Sequence, residues 1–130
     1  MNFLKYNFIL IFMSSFIISD DCETDFILIN EQCYYEQDIN IINTFIINSN
    51  GSINMILDDN DNGFIEPLEL CYQEWENGRI KVFDCNPIII NGYYNWLDIS
   101  SEIPNNITDW EFIEIFLMPY NNLTGLVPES

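Results

Sequence analysis

The chain contains no histidine, no alanine and only 3 lysine or arginine residues, against 21 aspartate or glutamate residues. The absence of histidine excludes a Ser-His-Asp triad, a Cys-His pair and a histidine-bearing zinc site. The formal net charge is −18, so the chain lacks the cations that displace phosphate counterions, and we expect no nucleic-acid partner. Hydrophobic residues make up 48% and aromatic residues 15% of the 130 positions, enough to build one core.

Residues 1–19 have the order of charge and hydrophobicity typical of a secretory signal peptide. Lys5 precedes an apolar run from Phe8 to Ile18, and an acidic pair follows at positions 20–21. This run is short for a membrane span, which takes roughly 20 apolar residues. A signal anchor is the alternative, because no clean small-x-small cleavage triplet is present. We therefore expect a secreted or cell-surface protein, which meets a membrane only through such an anchor or through a span beyond this sequence.

The four cysteines all follow the expected cleavage point, and an even number in an oxidising compartment predicts two disulfides. They are Cys22, Cys33, Cys71 and Cys85. Three pairings are open, and we favour the sequence-local one, Cys22–Cys33 with Cys71–Cys85. A four-cysteine zinc site is the alternative, but it requires close C-x₂-C spacing that these cysteines lack.

Three Asn-x-Ser/Thr sequons are candidates for N-glycosylation in a secreted chain. They lie at Asn50, Asn106 and Asn122. Because the chain has 18 asparagines, an unmodified asparagine is an equally good interpretation of each sequon.

The C-terminal third repeats a pattern, because Ile103-Pro104 recurs 24 residues later as Val127-Pro128. Between the two pairs the residues follow the pattern IPxxLxxLxxLxxLxLxxNxLxGxIP. This stretch resembles one repeat of the extracellular, plant-type leucine-rich repeat family. The signature positions are Ile113, Phe116, Met118, Asn121, Leu123, Gly125, Val127 and Pro128. An amphipathic helix over residues 109–118 is the alternative, and Pro119 argues against it.

The spacing within the repeat has a physical meaning. Phe116-x-Met118 alternates as a short strand whose two side chains point into a core. We expect Asn121 to turn its amide inward and hydrogen-bond neighbouring backbone. Gly125 allows a backbone bend that a Cβ would hinder.

A degenerate repeat precedes the good one, with apolar residues and a proline at Ile89, Tyr94, Ile99, Ile103 and Pro104. The resemblance then divides the mature chain into a disulfide-containing N-terminal cap over residues 20–88 and two repeats over residues 89–130. It implies an α/β fold in which the cap is followed by the start of a leucine-rich repeat solenoid with short parallel strands.

The resemblance also implies a function. Proteins of this family bind protein or carbohydrate ligands on the concave face of the solenoid, and no catalytic residue is implied. The exposed positions beside the predicted strand are Ile115, Leu117, Pro119 and Tyr120. Because solenoid repeats bury their apolar side only against neighbouring repeats, we expect either a longer repeat protein or self-association through the open edge.

Residues 58–69 carry a competing motif that is similar to an EF-hand calcium loop. Oxygen ligands at loop positions 1, 3, 5, 7 and 12 surround a glycine at position 6, as a hard cation requires. The ligands would be Asp58, Asn60, Asn62, the carbonyl of Phe64 and Glu69. The alternative function is therefore a small secreted calcium-binding module. Two asparagines in place of aspartates would make such a site weak, and a solvated turn is the other interpretation. No other cofactor is expected.

The remaining segments give coarser predictions. Residues 38–47 suit either a helix or a strand, and the periodicity does not decide between them. Residues 67–76 begin with proline and acids, which predicts a helix. Alternation over residues 79–83 predicts a strand, and the β-branched run at residues 88–90 predicts a buried strand.

Overall fold

A computed structural model describes residues 22–129 of the chain. The predicted signal peptide at residues 1–19 lies outside these described residues. Within them, no helix is long and apolar enough to cross a membrane.

The described part of the chain contains one α-helix and seven short strands. In chain order they are β1 (Phe26–Ile29), β2 (Gln32–Tyr35), α1 (Glu36–Asn48), β3 (Tyr72–Glu76), β4 (Arg79–Asp84), β5 (Ile88–Ile90), β6 (Tyr93–Asn95) and β7 (Ile115–Leu117). Two short 3-10 helices lie at Met55–Leu57 and Asn105–Asp109. The strands form two antiparallel hairpins, β1–β2 and β5–β6, and one three-stranded sheet in the order β3–β4–β7.

The segment over residues 38–47, which the sequence left open between helix and strand, lies within helix α1. Acidic residues in its first turn, Glu36 and Asp38, interact favourably with the positive end of the helix dipole. Ile42 and Phe45 are fully buried on its inner side. The helix ends at Asn48, and the N–H of the following Ser49 donates to the carbonyl of Phe45. Because one side of the segment is buried, the helical period applies rather than the strand period.

The core lies between α1 and the inner side of the three-stranded sheet. An aromatic cluster forms its centre, with ring centroids between 5.2 and 6.5 Å apart. Its members are Phe45 on α1, Phe83 on β4, Phe116 on β7 and Trp110, which directly follows the second 3-10 helix. A fully buried phenylalanine contributes roughly 1.5–3 kcal/mol by removal of apolar surface from water, so this cluster is a large part of the folding free energy.

A buried ion pair connects α1 to β4. Asp38 is 1% exposed and accepts hydrogen bonds from Arg79 Nε at 2.8 Å and from the N–H of Ile80 at 3.1 Å. The hydrogen bond to Asp38 raises the pKa of Arg79. The guanidinium also lies 4.1 Å from the ring centroid of Tyr35 and 4.6 Å from that of Phe112. The charge of Asp38 is thus compensated inside the fold.

Both predicted disulfides are confirmed, with the sequence-local pairing. Cys22 bonds Cys33, which ties the segment before β1 to β2. Cys71 bonds Cys85, which links the residues just outside the β3–β4 hairpin. Closing loops of this length stabilises a fold by about 3 kcal/mol in the chain-entropy account.

The predicted solenoid of short parallel strands is wrong. In residues 22–129 the strands form three small separate sheets that are mostly antiparallel, and the only parallel strand pair is β4–β7, with an isolated parallel bridge at Glu102–Thr124. A repeat needs another surface to bury its apolar side. Here α1 and the β3–β4 hairpin provide that surface, so β7 joins an antiparallel hairpin rather than a stack of repeats.

The degenerate repeat stays a prediction, and the first part of its segment forms a hairpin. Ile89 and Tyr94 face each other across the β5–β6 hairpin instead of taking successive positions in a solenoid. Asn91 and Gly92 connect the two strands with φ of 52° and 81°. Two consecutive residues with positive φ are the geometry of a type I′ turn, which Asn-Gly favours.

Two further element predictions fail in part. Residues 67–76 do not form a helix: Cys71 has φ of 64°, and β3 begins at the next residue and pairs with β4. Residues 88–90 form the predicted strand β5, but Ile89 is 61% exposed, since no other layer within residues 22–129 covers this hairpin. The strand predicted over residues 79–83 is present as β4.

Candidate functional site

The three-stranded sheet has one side turned to solvent. Successive strand residues point to opposite sides of a sheet, so exposure alternates along β3: Tyr72 and Glu74 are exposed, while Trp75 is half-buried. On β7, Ile115 and Leu117 are 45% and 43% exposed. The opposite side packs on the aromatic core, and within residues 22–129 this outer side stays open to solvent.

The strand register places the outer side chains in two rows across the sheet. Each row crosses the three strands and takes one residue from each of β3, β4 and β7. The first row lies at the end of the sheet nearest Cys85, and the second lies two residues further along each strand. We call the six residues of these rows the acidic sheet face; they are Tyr72, Asp84 and Leu117 in the first row, and Glu74, Val82 and Ile115 in the second.

Negative charge dominates the acidic sheet face and its border. Lys81 Nζ lies 3.5 Å from a carboxylate oxygen of Glu76 and also contacts Glu114. The hydrogen bond to Glu114 is the main reason that the pKa of Lys81 is raised, so its charge is retained and neutralised locally. The carboxylates of Glu74 and Asp84 have no such cation among these contacts. The acidic sheet face and its border therefore carry four carboxylates and one ammonium group, and two of the carboxylates, Glu76 and Glu114, contact that ammonium.

The hydroxyl of Tyr72 points toward one of these carboxylates. Tyr72 Oη donates a hydrogen bond of 2.5 Å to Glu74. This hydrogen bond raises the pKa of Tyr72, so the phenol stays neutral at physiological pH. The ring of Tyr72 is 59% exposed and adds an amphipathic side chain to the acidic sheet face.

Three exposed aromatic side chains form a second surface, which we call the aromatic shelf: Tyr94, Trp96 and Tyr120. Their exposed fractions are 64%, 44% and 74%. Ring centroids are 6.2 Å apart for Tyr94 and Trp96, which stack, and 5.2 Å apart for Trp96 and Tyr120. Together with Asn86 and Pro87 they line an open depression of about 530 Å³. The shelf can hold an apolar or planar group of a ligand.

A short connection after β4 joins the two surfaces. The backbone N–H of Asn86 donates to Asp84 Oδ1 at 3.0 Å, and the Asn86 side-chain amide donates to the same oxygen at 2.6 Å. Asp84 belongs to the acidic sheet face, and Asn86 borders the aromatic shelf. The two surfaces therefore meet at the end of β4, where charged, amide and aromatic groups lie together.

The residues of the predicted repeat signature lie around β7. Asn121 Oδ1 accepts a hydrogen bond from the N–H of Ile99 at 3.0 Å, and its Nδ2 donates to the carbonyls of Cys85 at 3.2 Å and Pro119 at 3.1 Å. This amide faces inward and connects two earlier segments of the chain. Partly buried side chains of the signature pack on the core: Ile113, Phe116, Met118 and Leu123.

The end of the signature has a different environment. Gly125 has φ of 79°, and a Cβ there would lie 3.1 Å from Cγ of Glu102. Val127 is 76% exposed. Of the positions predicted to be exposed beside the strand, Ile115, Leu117 and Tyr120 are exposed and Pro119 is half-buried.

The calcium-like loop is closed by its own side-chain oxygens. Asp58 accepts hydrogen bonds from the N–H groups of Asn62 at 3.1 Å and Gly63 at 2.7 Å. Asn60 and Asn62 accept from backbone N–H groups two residues on, at 3.0 and 2.9 Å. Gly63 has φ of 89°, which favours glycine. A 3-10 helix precedes the loop and β3 follows it, so the paired helices of an EF-hand do not flank it.

Two glutamates lie beside the oxygens of this loop. Glu66 accepts from the side-chain amides of Asn60 at 3.2 Å and Asn62 at 2.5 Å, while Glu69 accepts from the N–H of Glu66 at 2.9 Å. The neighbouring Glu69 lowers the pKa of Glu66, whereas partial burial, followed by the contact with Glu66, raises the pKa of Glu69. Among the described residues, no three histidine, cysteine, aspartate or glutamate side chains are grouped closely enough to share a metal ion.

The three sequons have different accessibility. Asn50 lies exposed in the turn after α1, and Asn122 is exposed after β7. Asn106 is half-buried in the second 3-10 helix. The structure therefore leaves Asn50 and Asn122 more open to an attached glycan.

Sequence reasoning missed six residues of the two surfaces: Tyr72, Glu74, Val82, Asp84, Tyr94 and Trp96. Glu74 was hidden because its segment was interpreted as a helix, although YQEWE alternates as a strand does. Tyr94 was assigned to a repeat position instead of a hairpin. Asn-Gly at 91–92 predicts a hairpin turn. That turn would place Tyr94 on the second strand of the hairpin and Trp96 directly after it. Glu66 was missed at position 9 of the loop.

Comparison of the chain with protein-family models, curated proteins and solved structures finds no match.

Proposed function

We propose that the chain is a secreted or cell-surface recognition module that binds a protein or carbohydrate ligand and performs no catalysis. The observation that carries this proposal is the joined exposed surface of the acidic sheet face and the aromatic shelf. Two disulfides, Cys22–Cys33 and Cys71–Cys85, are consistent with an extracellular protein.

The composition of this surface supports binding. Large apolar side chains that lie together in solvent mark interaction sites more often than scattered ones do. Here three aromatic residues and two aliphatic ones, Ile115 and Leu117, are each more than two-fifths exposed. Tyrosine and tryptophan are common anchors of interfaces because they bury a large area with few rotatable bonds. The surface has the anchors of a binding site.

The test uses the full chain, secreted and disulfide-bonded, on an array of neutral and charged oligosaccharides and on an array of peptides of varied charge. We expect binding on one array, with Trp96→Ala weakening it at least tenfold. The matched control is Phe64→Ala, because Phe64 is 73% exposed and lines a separate depression beside α1. Two results would refute the proposed function. One is that Phe64→Ala loses binding as Trp96→Ala does, and the other is that the chain binds no member of either array.

The calcium-binding module remains a second candidate, supported by the fold of the loop itself. The oxygens of Asp58, Asn60 and Asn62 accept hydrogen bonds from backbone N–H groups of the loop around Gly63, and the carboxyl groups of Glu66 and Glu69 contact each other. A cation would relieve the mutual repulsion of the two glutamates. Such a site would be weak, at millimolar calcium, because asparagines replace two charged ligands.

Calcium titration with tryptophan emission tests this candidate. We expect a calcium-dependent change in the full chain that Glu69→Gln abolishes, because Glu69 is the closing ligand of the loop. Asp59→Asn is the matched control, since Asp59 is exposed at loop position 2 and is not a ligand in the motif. An emission spectrum that ignores calcium up to millimolar concentration removes the second candidate.

A further inference from the structure

We infer that the partner of the acidic sheet face is an extended, basic segment of another protein, with lysine or arginine residues interspersed with aliphatic ones. This inference rests on the proposed function and names the partner class for the same surface. Three features support it: the charge of the face, the exposed edge of its sheet, and the exclusion of other partners by the charge of the whole chain.

The charge on the acidic sheet face is unbalanced. Glu74 and Asp84 lie on the face, and Glu76 and Glu114 lie at its border with Lys81 between them. Four carboxylates and one ammonium group leave about three negative charges for a ligand to compensate. Potentials of opposite sign across an interface steer association and fix the orientation of a partner. Cationic side chains are therefore the complement of this surface.

The apolar part of the face matches an extended chain. β7 is the last strand in the order β3–β4–β7, so the backbone groups on its outer edge are not paired with another strand of residues 22–129. An extended segment binds such an edge through its backbone, and its alternate side chains then meet the two faces of the sheet. Ile115 and Leu117, on the exposed side, would contact the aliphatic residues of the segment. Glu114, directly before β7, and Asp84, on the neighbouring strand β4, would contact its basic residues, whereas Glu74 on β3 lies further from this edge and adds to the negative potential of the face.

The overall charge of the chain disfavours the other occupants. At a net charge of −18, nucleic acid, anionic membranes and a second copy of the chain are all repelled. A neutral oligosaccharide would leave the carboxylates uncompensated, although it would suit the aromatic shelf. Among macromolecules, a basic protein segment is the occupant that satisfies both the charged and the aliphatic parts of the face.

The test measures fluorescence anisotropy of a labelled 12-residue peptide of alternating lysine and leucine, against peptides in which glutamate or serine replaces lysine. The variant Glu74→Gln with Glu114→Gln removes two exposed charges with little change in shape. The matched control is Asp25→Asn with Glu31→Gln, which removes two exposed charges from the β1–β2 hairpin region. Both variants have the same net charge, so they separate a local site from general attraction.

We expect the lysine–leucine peptide to bind best, and the Glu74/Glu114 variant to bind it about five- to tenfold more weakly, because each exposed pair contributes modestly. The Asp25/Glu31 control should bind like the unmodified chain, and raising the salt concentration should weaken binding. Equal weakening in both variants, or equal binding of the glutamate or serine peptide, would overturn the inference.

The peptide assay and the oligosaccharide array together also separate the inference from the proposed function. Binding of neutral oligosaccharides that Trp96→Ala removes, without binding of the lysine–leucine peptide, would leave the proposed function standing and overturn the inference. Absence of both kinds of binding would refute the two together.

Discussion

Two glycines in the same type of turn provide a sharp test of the packing described above. Gly78 follows Asn77 between β3 and β4, and Gly92 follows Asn91 between β5 and β6. The two glycines have φ of 73° and 81°, so alanine is strained at both. Their surroundings differ: a Cβ on Gly78 would lie 2.5 Å from the carbonyl oxygen of Cys33, while a Cβ on Gly92 would meet nothing within 4 Å.

The magnitudes follow from that difference. Left-handed backbone costs an L-residue roughly 1–2 kcal/mol, and this is the whole loss of unfolding free energy expected for Gly92→Ala. Gly78→Ala carries the same cost plus an overlap with backbone and with the Phe26 ring, and overpacking of this kind costs typically 1–3 kcal/mol more. The carbonyl of Gly78 also accepts a hydrogen bond of 2.8 Å from the N–H of Tyr35, which displacement of the turn would weaken.

Urea unfolding followed by tryptophan emission measures both variants. We expect Gly78→Ala to lose about 1–3 kcal/mol more than Gly92→Ala, at an unchanged slope of free energy against urea. In thermal unfolding this difference corresponds to at least about 4–8 °C in Tm. Equal losses in the two variants would refute the packing of the β3–β4 turn against the first hairpin, because backbone strain alone would then explain both.

Three further outcomes follow from contacts in the core and around β7. Asp38→Asn should lose about 2–4 kcal/mol in urea unfolding, because Arg79 keeps a partly buried charge without its partner; a loss below about 1 kcal/mol would contradict this. Asn121→Ala should lose about 1–3 kcal/mol, since it removes hydrogen bonds to the N–H of Ile99 and the carbonyl of Cys85, and unchanged stability would argue against them. Replacing Cys71 and Cys85 by serine should lower the unfolding free energy by about 3 kcal/mol, and an unchanged urea midpoint would contradict it.

The sequence predicted features correctly where they depend on residues close together in the chain. The favoured sequence-local pairing of Cys22 with Cys33 and of Cys71 with Cys85 is confirmed, and alternation predicted β4. The two Asn-Gly pairs, at residues 77–78 and 91–92, are equally local signals and predict hairpins. Much of the difference between the predicted solenoid and the observed hairpins was therefore present in the sequence.

The candidate site could be predicted only in part. Ile115, Leu117 and Tyr120 came from the resemblance to a repeat, and they are exposed on and after β7. Glu74 and Asp84 join them only because the register of β3, β4 and β7 aligns three distant segments. A register of this kind depends on long-range pairing, which local periodicity does not specify.

The sequence by itself determined the charge, the cysteines for two disulfides, the lack of histidine chemistry and the tight turns, because each depends on residue type or on near neighbours. The tertiary structure decided between helix and strand at residues 38–47, since only burial against Phe83 and Trp110 selects one period. It also decided which partner β7 would take. A strand of three residues pairs with whichever edge lets it bury its inner side, and here that edge is β4, so the apolar pattern of a repeat ended in a mixed three-stranded sheet.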